Sequence, residues 1–206
     1  LENLVQEILT QFKATTWVEW FGTITGALCV YLAAKESIWN WPIAILSVTT
    51  YIYIFFNAQL YGDTFLQVYF LATCIYGWYF WTYGKPKNTQ VERPVTSLKS
   101  KEWLIIAVLQ IVLFLIGGYY LDTKTDTDVP YIDAFCTVGS LIAQYLLTRK
   151  IIENWIIWIV VDIIYIPLYI HKDLLATAVL YFIFLFIAAK GYMDWKKSLR
   201  KELAHG

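Results

Sequence analysis

Charge is scarce in this sequence. Asp, Glu, Lys and Arg make up only 16% of its 206 residues and cancel to a formal net charge of zero, whereas 59% of residues are hydrophobic. A soluble domain of this length has too much surface to cover with so few charges, which leaves an integral membrane protein as the class. Zero net charge also removes the electrostatic argument for a nucleic-acid or acidic partner. Histidine is nearly missing, and neither of the two present lies inside an apolar run. With no H-E-x-x-H and no G-x-S-x-G, an enzyme embedded in the membrane would lack its nucleophile, base and metal ligands, so no enzymatic activity, metal or cofactor is expected. Cysteine is sparse too. Cys29, Cys74 and Cys136 stand singly, without metal-ligand spacing or a disulfide framework, and read as small packing residues. No cleavable signal peptide is visible.

What the sequence has in quantity is apolar runs of about 20 residues, the length that crosses a bilayer. Seven are expected: Trp17–Ala34, Ile38–Phe56, Leu60–Tyr83, Trp103–Leu121, Ile132–Thr148, Ile152–Ile170 and Leu174–Gly191. Sorting Lys and Arg by alternate sides puts Lys13, Lys124 and Lys172 on the side of the N-terminus and all the others opposite. Positive residues stay cytoplasmic, so the N-terminus is expected outside and the C-terminus inside. Ahead of the first run, Leu1, Leu4, Val5, Ile8 and Phe12 recur at helical spacing, so residues 1–15 read as an amphipathic helix on the outer surface.

Sliding the chain by 114 residues aligns its two ends without an insertion. Phe21 meets Phe135, Thr23 meets Thr137, Asn40–Trp41 meet Asn154–Trp155, Tyr51 meets Tyr165, Gly77 meets Gly191, and Trp81 meets Trp195. The expected architecture is therefore all-α, with two parallel three-helix repeats at 16–83 and 131–195. Between them lie a basic cytoplasmic linker at 84–101 and a fourth helix with an outer loop at 102–130; residues 196–206 form a cytoplasmic tail. The fourth helix returns the chain so that both repeats enter in the same direction, and substrate sites in such folds lie near the midplane between repeats. Alternating access uses a duplication of this kind. A structural or partner subunit, the competing class, has no use for it.

One ionisable group falls within the sixth run. Trp155, Trp158, Asp162 and Tyr165 form a single helical stripe, continued by Tyr169. The equivalent residues of the first repeat are Trp41, Ala44, Val48 and Tyr51, so the outer aromatics match while Trp158 and Asp162 are new. A carboxylate near a span's centre costs about 2.5–3.5 kcal/mol on insertion scales, so Asp162 reads either as a ligand contact in a wet cavity or as a packing partner of a buried polar group. Flat aromatic walls beside a carboxylate suit a flat cation. Asn40, Asn154, Gln67 and Gln144 complete the candidate substrate-binding set. Trp17, Trp20, Trp39, Trp78, Trp81, Trp103 and Trp195, all near span ends, read as interfacial belt residues. Pro42 and Pro167 are expected to shape or kink their helices.

The stretches NWPIAILSVTTYIYIFFNAQLYGDTFLQVYFLATCIYGWYFW and DAFCTVGSLIAQYLLTRKIIENWIIW, with the following VVDIIYIPLY, resemble the PnuC family of bacterial vitamin transporters. The resemblance runs from about Trp17 to Trp195. It implies a seven-helix fold of the three-plus-one-plus-three kind, related to the SWEET transporters, in the bacterial inner membrane. It also implies facilitated diffusion of an unphosphorylated vitamin, trapped by a cytoplasmic kinase, and it is associated with homotrimers. The family's Trp-x-x-Trp motif carries over onto Trp155 and Trp158, but Asp162 stands where the best-known members have Asn. A carboxylate accepts hydrogen bonds from an aminopyrimidine as well as favouring a cation. The expected substrate is therefore thiamine, as in the PnuT branch, with nicotinamide riboside as the alternative.

Overall fold

The computed structural model describes residues 2–57, 59, 61–84, 93–172 and 174–205. They form α1 (Glu2–Ala14), α2 (Trp17–Ala34), α3 (Asn40–Asn57), α4 (Tyr61–Tyr83), α5 (Ser100–Lys124), α6 (Pro130–Thr148), α7 (Asn154–His171) and α8 (Leu175–His205). Several starts are written in local sequence. Thr16 accepts from the Glu19 amide while the Glu19 carboxylate accepts from the Thr16 amide at 2.6 Å, a reciprocal cap on α2. Pro130 opens α6 where its missing N–H costs nothing. Pro42 sits in the first turn of α3 for the same reason, so it starts that helix instead of kinking it; Pro167 lies inside α7.

α2, α3 and α4 pack together, as do α6, α7 and α8, and the two triplets meet through α2 against α8 and α4 against α6. Among the described residues α5 packs mainly on α6, shares an apolar pocket with α7, and otherwise presents apolar side chains outward. α2, α5, α7 and α8 are long and apolar enough to cross a membrane by length and composition. α3, α4 and α6 are 18, 23 and 19 residues long. α8 continues to His205, so residues 196–205, expected as a cytoplasmic tail, are helical. The expected linker 84–101 lies partly outside the described residues; its last part, 93–99, is irregular apart from a bridge between Thr96 and Ile151 until Ser100 starts α5.

The turns after α2 and α6 are built alike. Glu36 and Lys150 take left-handed backbone at φ 56° and 59°. The Ser37 and Ile151 amides donate back to Leu32 and Leu146, closing each helix end. The Asn40 and Asn154 side-chain amides then donate to the carbonyls of Ser37 and Ile151, at 2.7 and 2.6 Å, and start the next helix.

The tryptophans divide by partner. Trp17 is 80% exposed and Trp39 65%, as belt residues would be, and Trp78 and Trp103 are also exposed. Trp20 stacks on Phe12 and so ties α1 to the bundle. Trp81 and Trp195, expected in the belt, are buried at 7% and 0% exposure. Each donates its indole N–H to the end of the other triplet's first helix, Trp81 to the Thr148 carbonyl and Trp195 to that of Ala33. A buried indole needs such an acceptor, and here it draws both rings inward.

Candidate substrate cavity

α7 opens the site from its first turn. Trp155 is 1% exposed and packs edge-on against Trp195 at 5.5 Å; Trp41 packs in the same way on Trp81 at 5.3 Å. A side chain on Gly191 would lie 2.8 Å from the Trp155 ring, and one on Gly77 2.3 Å from Trp41, so the bare backbone of α8 and α4 is what admits the two indoles. Trp81 and Trp195 touch at 6.0 Å, and the four rings form one aromatic layer.

Above this layer lies a cavity of about 360 Å³, within the ~300–1,000 Å³ range of small-molecule sites. Of the ten candidate residues, eight line it: Asn40, Trp41, Gln67, Gln144, Trp155, Trp158, Asp162 and Tyr165. Asp162 is 3% exposed and has neither hydrogen-bond nor ion-pair partner among the described residues. The packing-partner reading of Asp162 thus finds no support in its contacts. The indole N–H groups of Trp41 and Trp155 are likewise buried without an acceptor, the same feature at both equivalent positions. Gln144 reaches Cys74 Sγ at 3.6 Å, and Cys74 and Cys136 are buried free thiols.

Two candidates do not line the cavity. The Tyr51 hydroxyl pairs with Thr23 at 3.0 Å, and Phe55, stacked on Tyr51 at 5.6 Å, is the ring that faces the space. Asn154 spends its amide on the helix start, with its Oδ1 buried and unpartnered. The structure adds Tyr169 and Tyr181, whose rings lie 4.9 Å apart and contact Tyr165 at 5.3 and 5.1 Å. Tyr169 continues the Asp162 stripe, and Tyr181 is the 114-residue equivalent of Gln67, so both carried a sequence signal. Gln110 is turned away from the cavity and donates to the Phe135 carbonyl, joining α5 to α6.

The chemistry on offer is aromatic faces, one carboxylate, three side-chain amides, three indoles and the hydroxyls of Thr137, Ser140 and the tyrosines. No group of metal-binding side chains occurs among the described residues. Residues 16–197 match the family model described as nicotinamide mononucleotide transporter. The chain belongs to this family, the PnuC family. The nicotinamide riboside transporter PnuC of Escherichia coli K12 is 32% identical over 90% of this chain and 87% of its own length. The riboflavin/roseoflavin transporter RibM of Streptomyces davaonensis is 26% identical over 90% and 87%. A crystal structure of the vitamin B3 transporter PnuC superposes with a TM-score of 0.74 over 96% of this chain and 90% of its own, at 24% identity, and shares the fold. This PnuC chain is accordingly a membrane vitamin transporter, a multi-pass protein of the bacterial cytoplasmic membrane.

Proposed function

We propose that this PnuC chain takes up unphosphorylated nicotinamide riboside by facilitated diffusion, with a cytoplasmic kinase trapping the vitamin by adding phosphate. The observation that carries this is Asp162, a buried carboxylate without a partner among the described residues, facing a cavity walled by Trp155, Trp158 and Tyr165. A pyridinium ring is flat and cationic, so it stacks on the indoles and pairs with the acid. Gln67 and Gln144 offer donors and acceptors to ribose hydroxyls. Two relatives named for nicotinamide riboside, from Escherichia coli and Neisseria mucosa, support this substrate over the thiamine expected from sequence. Thiamine is the second reading, favoured by the ability of Asp162 to accept from an aminopyrimidine.

In this reading α2 to α8 all cross the bilayer, with the N-terminus outside, the C-terminus inside and α1 on the outer surface. The triplets act as co-oriented repeats on either side of a midplane site and rock to expose it in turn. Titrating the purified protein with nicotinamide riboside, thiamine and riboflavin tests the reading. The riboside should bind at least tenfold tighter than either. The reverse order of the first two transfers the function to thiamine, and binding of riboflavin alone or of none removes the proposal.

A further inference from the structure

The cavity's inner end is closed in layers. Beneath Ala33 and Leu147, which line the space, lie Trp81 and Trp195, each tied to the other triplet as described. Past these rings, Lys150 Nζ sits 5.0 Å from the Trp81 ring and 2.8 Å from Glu36 Oε2. Glu36 ends α2 and Lys150 ends α6, and the two are equivalent under the 114-residue shift. The ion pair therefore joins the same turn of both triplets. Both residues hold left-handed backbone, where glycine would be easier, so an acid and a base persist at positions that disfavour side chains.

Neither partner is left to these contacts alone. Lys150, its side chain 4% exposed, also donates to the Arg93 carbonyl at 2.8 Å, while Ser198 donates to Glu36. Residues 93–98 strap the same end. Thr96 exchanges backbone hydrogen bonds with Lys150 and Ile152, Val95 is 1% exposed, and Ser97 and the Leu98 amide donate to Glu153. Glu36, at 21% side-chain exposure, is the partner with a route to water.

We propose that Glu36 and Lys150 form the inner lock of the transport cavity, an ion pair across the two triplets that holds the tryptophan floor shut and parts each time the vitamin leaves for the cytoplasm. The lock rests on the transport reading, because a binding protein would have no need to part it. Lys150 stays docked on the strap and the Arg93 carbonyl, and Glu36 swings away with the end of α2. Removing the carboxylate's charge leaves the floor rings in place but lowers the barrier to separating the turns.

Cys29, which lines the cavity, reports the state of the lock. In a background carrying Cys74→Ala and Cys136→Ala, a membrane-impermeant thiol reagent is applied from the face that bears the 84–101 linker. Glu36→Gln should raise the rate of Cys29 labelling at least fivefold. Lys197→Gln, which removes one exposed charge from the same end, should label as the parent does. Equal rates in the parent and Glu36→Gln, or an equal rise in Lys197→Gln, overturn the lock. Titration of each protein with nicotinamide riboside and thiamine reads the transport site separately, so labelling that rises without vitamin binding keeps the lock and removes the substrate reading. Where Glu36→Gln does not fold, Ser198→Ala decides by the same rate, with about a twofold rise expected and no change overturning the proposal.

Discussion

At the scale of single residues, Asp162 gives the site its character. A lone carboxylate costs about 2.5–3.5 kcal/mol at mid-membrane on insertion scales, and nothing among its described neighbours offsets that. Asp162→Asn should therefore weaken binding of a cationic vitamin by more than tenfold, about 1.4 kcal/mol, while leaving thermal stability unchanged or higher. Isothermal titration alongside thermal unfolding checks both halves. Trp158→Ala should weaken binding by a similar factor with unchanged selectivity between cations, read by titrating nicotinamide riboside and thiamine in turn. The Asp162 stripe was legible because helical spacing alone puts its members on one face. Tyr51 was not. It shares its repeat position with Tyr165, but whether a ring or its stacked neighbour faces the cavity depends on packing, and Phe55 takes that place. Trp81 and Trp195 misled for a related reason: their acceptors, Thr148 and Ala33, belong to the other triplet and leave no local mark in sequence.

At the scale of elements, helix contacts turn on missing side chains. Gly77 and Gly191 let the indoles of Trp41 and Trp155 lie against helix backbone, and an added methyl would sit at 2.3 and 2.8 Å from those rings. Overpacking of this kind typically costs about 1–3 kcal/mol. Gly191→Ala should lower the thermal unfolding temperature of the detergent-solubilised protein and weaken vitamin binding, because Trp155 lines the site. Gly22→Ala, 3.1 Å from a Tyr51 ring that lies off the cavity, should affect stability without affecting binding. The start of α7 carries a further device. Glu153, 5% exposed, accepts from Ser97 and from the Leu98 amide, whereas its 114-residue equivalent, Trp39, is 65% exposed. Through Glu153 the linker docks on the second triplet, while Arg93 stacks over Phe80 at 3.9 Å and donates to the Gly84 carbonyl at the end of α4 in the first. Glu153→Ala should strand those donors and release the strap, making the basic linker the faster site of limited proteolysis. Helix existence and most ends were readable from apolar runs and caps. The continuation of α8 through its basic end was not, since Lys and Arg favour a helix terminus as readily as a cytoplasmic tail.

At the scale of the whole molecule, the 114-residue offset organises more than sequence identity suggests. It relates the α2–α8 contact to α6–α4, the Trp41–Gly77 contact to Trp155–Gly191, and Glu36 to Lys150. The offset was visible in the chain; that equivalent residues would touch each other across the molecule was not, because an alignment carries no distances. The same offset shows where equivalence stops. Ala44 and Val48 are the equivalents of Trp158 and Asp162, so a cavity framed by matched helices carries its acid on one wall among the described residues. Two matched acids would bind a divalent cation or force protonation, whereas one acid leaves a monovalent cation as the neutralising cargo. For such cargo, without a coupled ion, the membrane potential supplies the driving force, about 2.3 kcal/mol per 100 mV. In proteoliposomes held at 100 mV, inside negative, nicotinamide riboside should accumulate toward a roughly fiftyfold gradient and return to parity when the potential is collapsed. A proton gradient imposed at zero potential should leave the distribution even; accumulation under that condition would make the carrier a symporter.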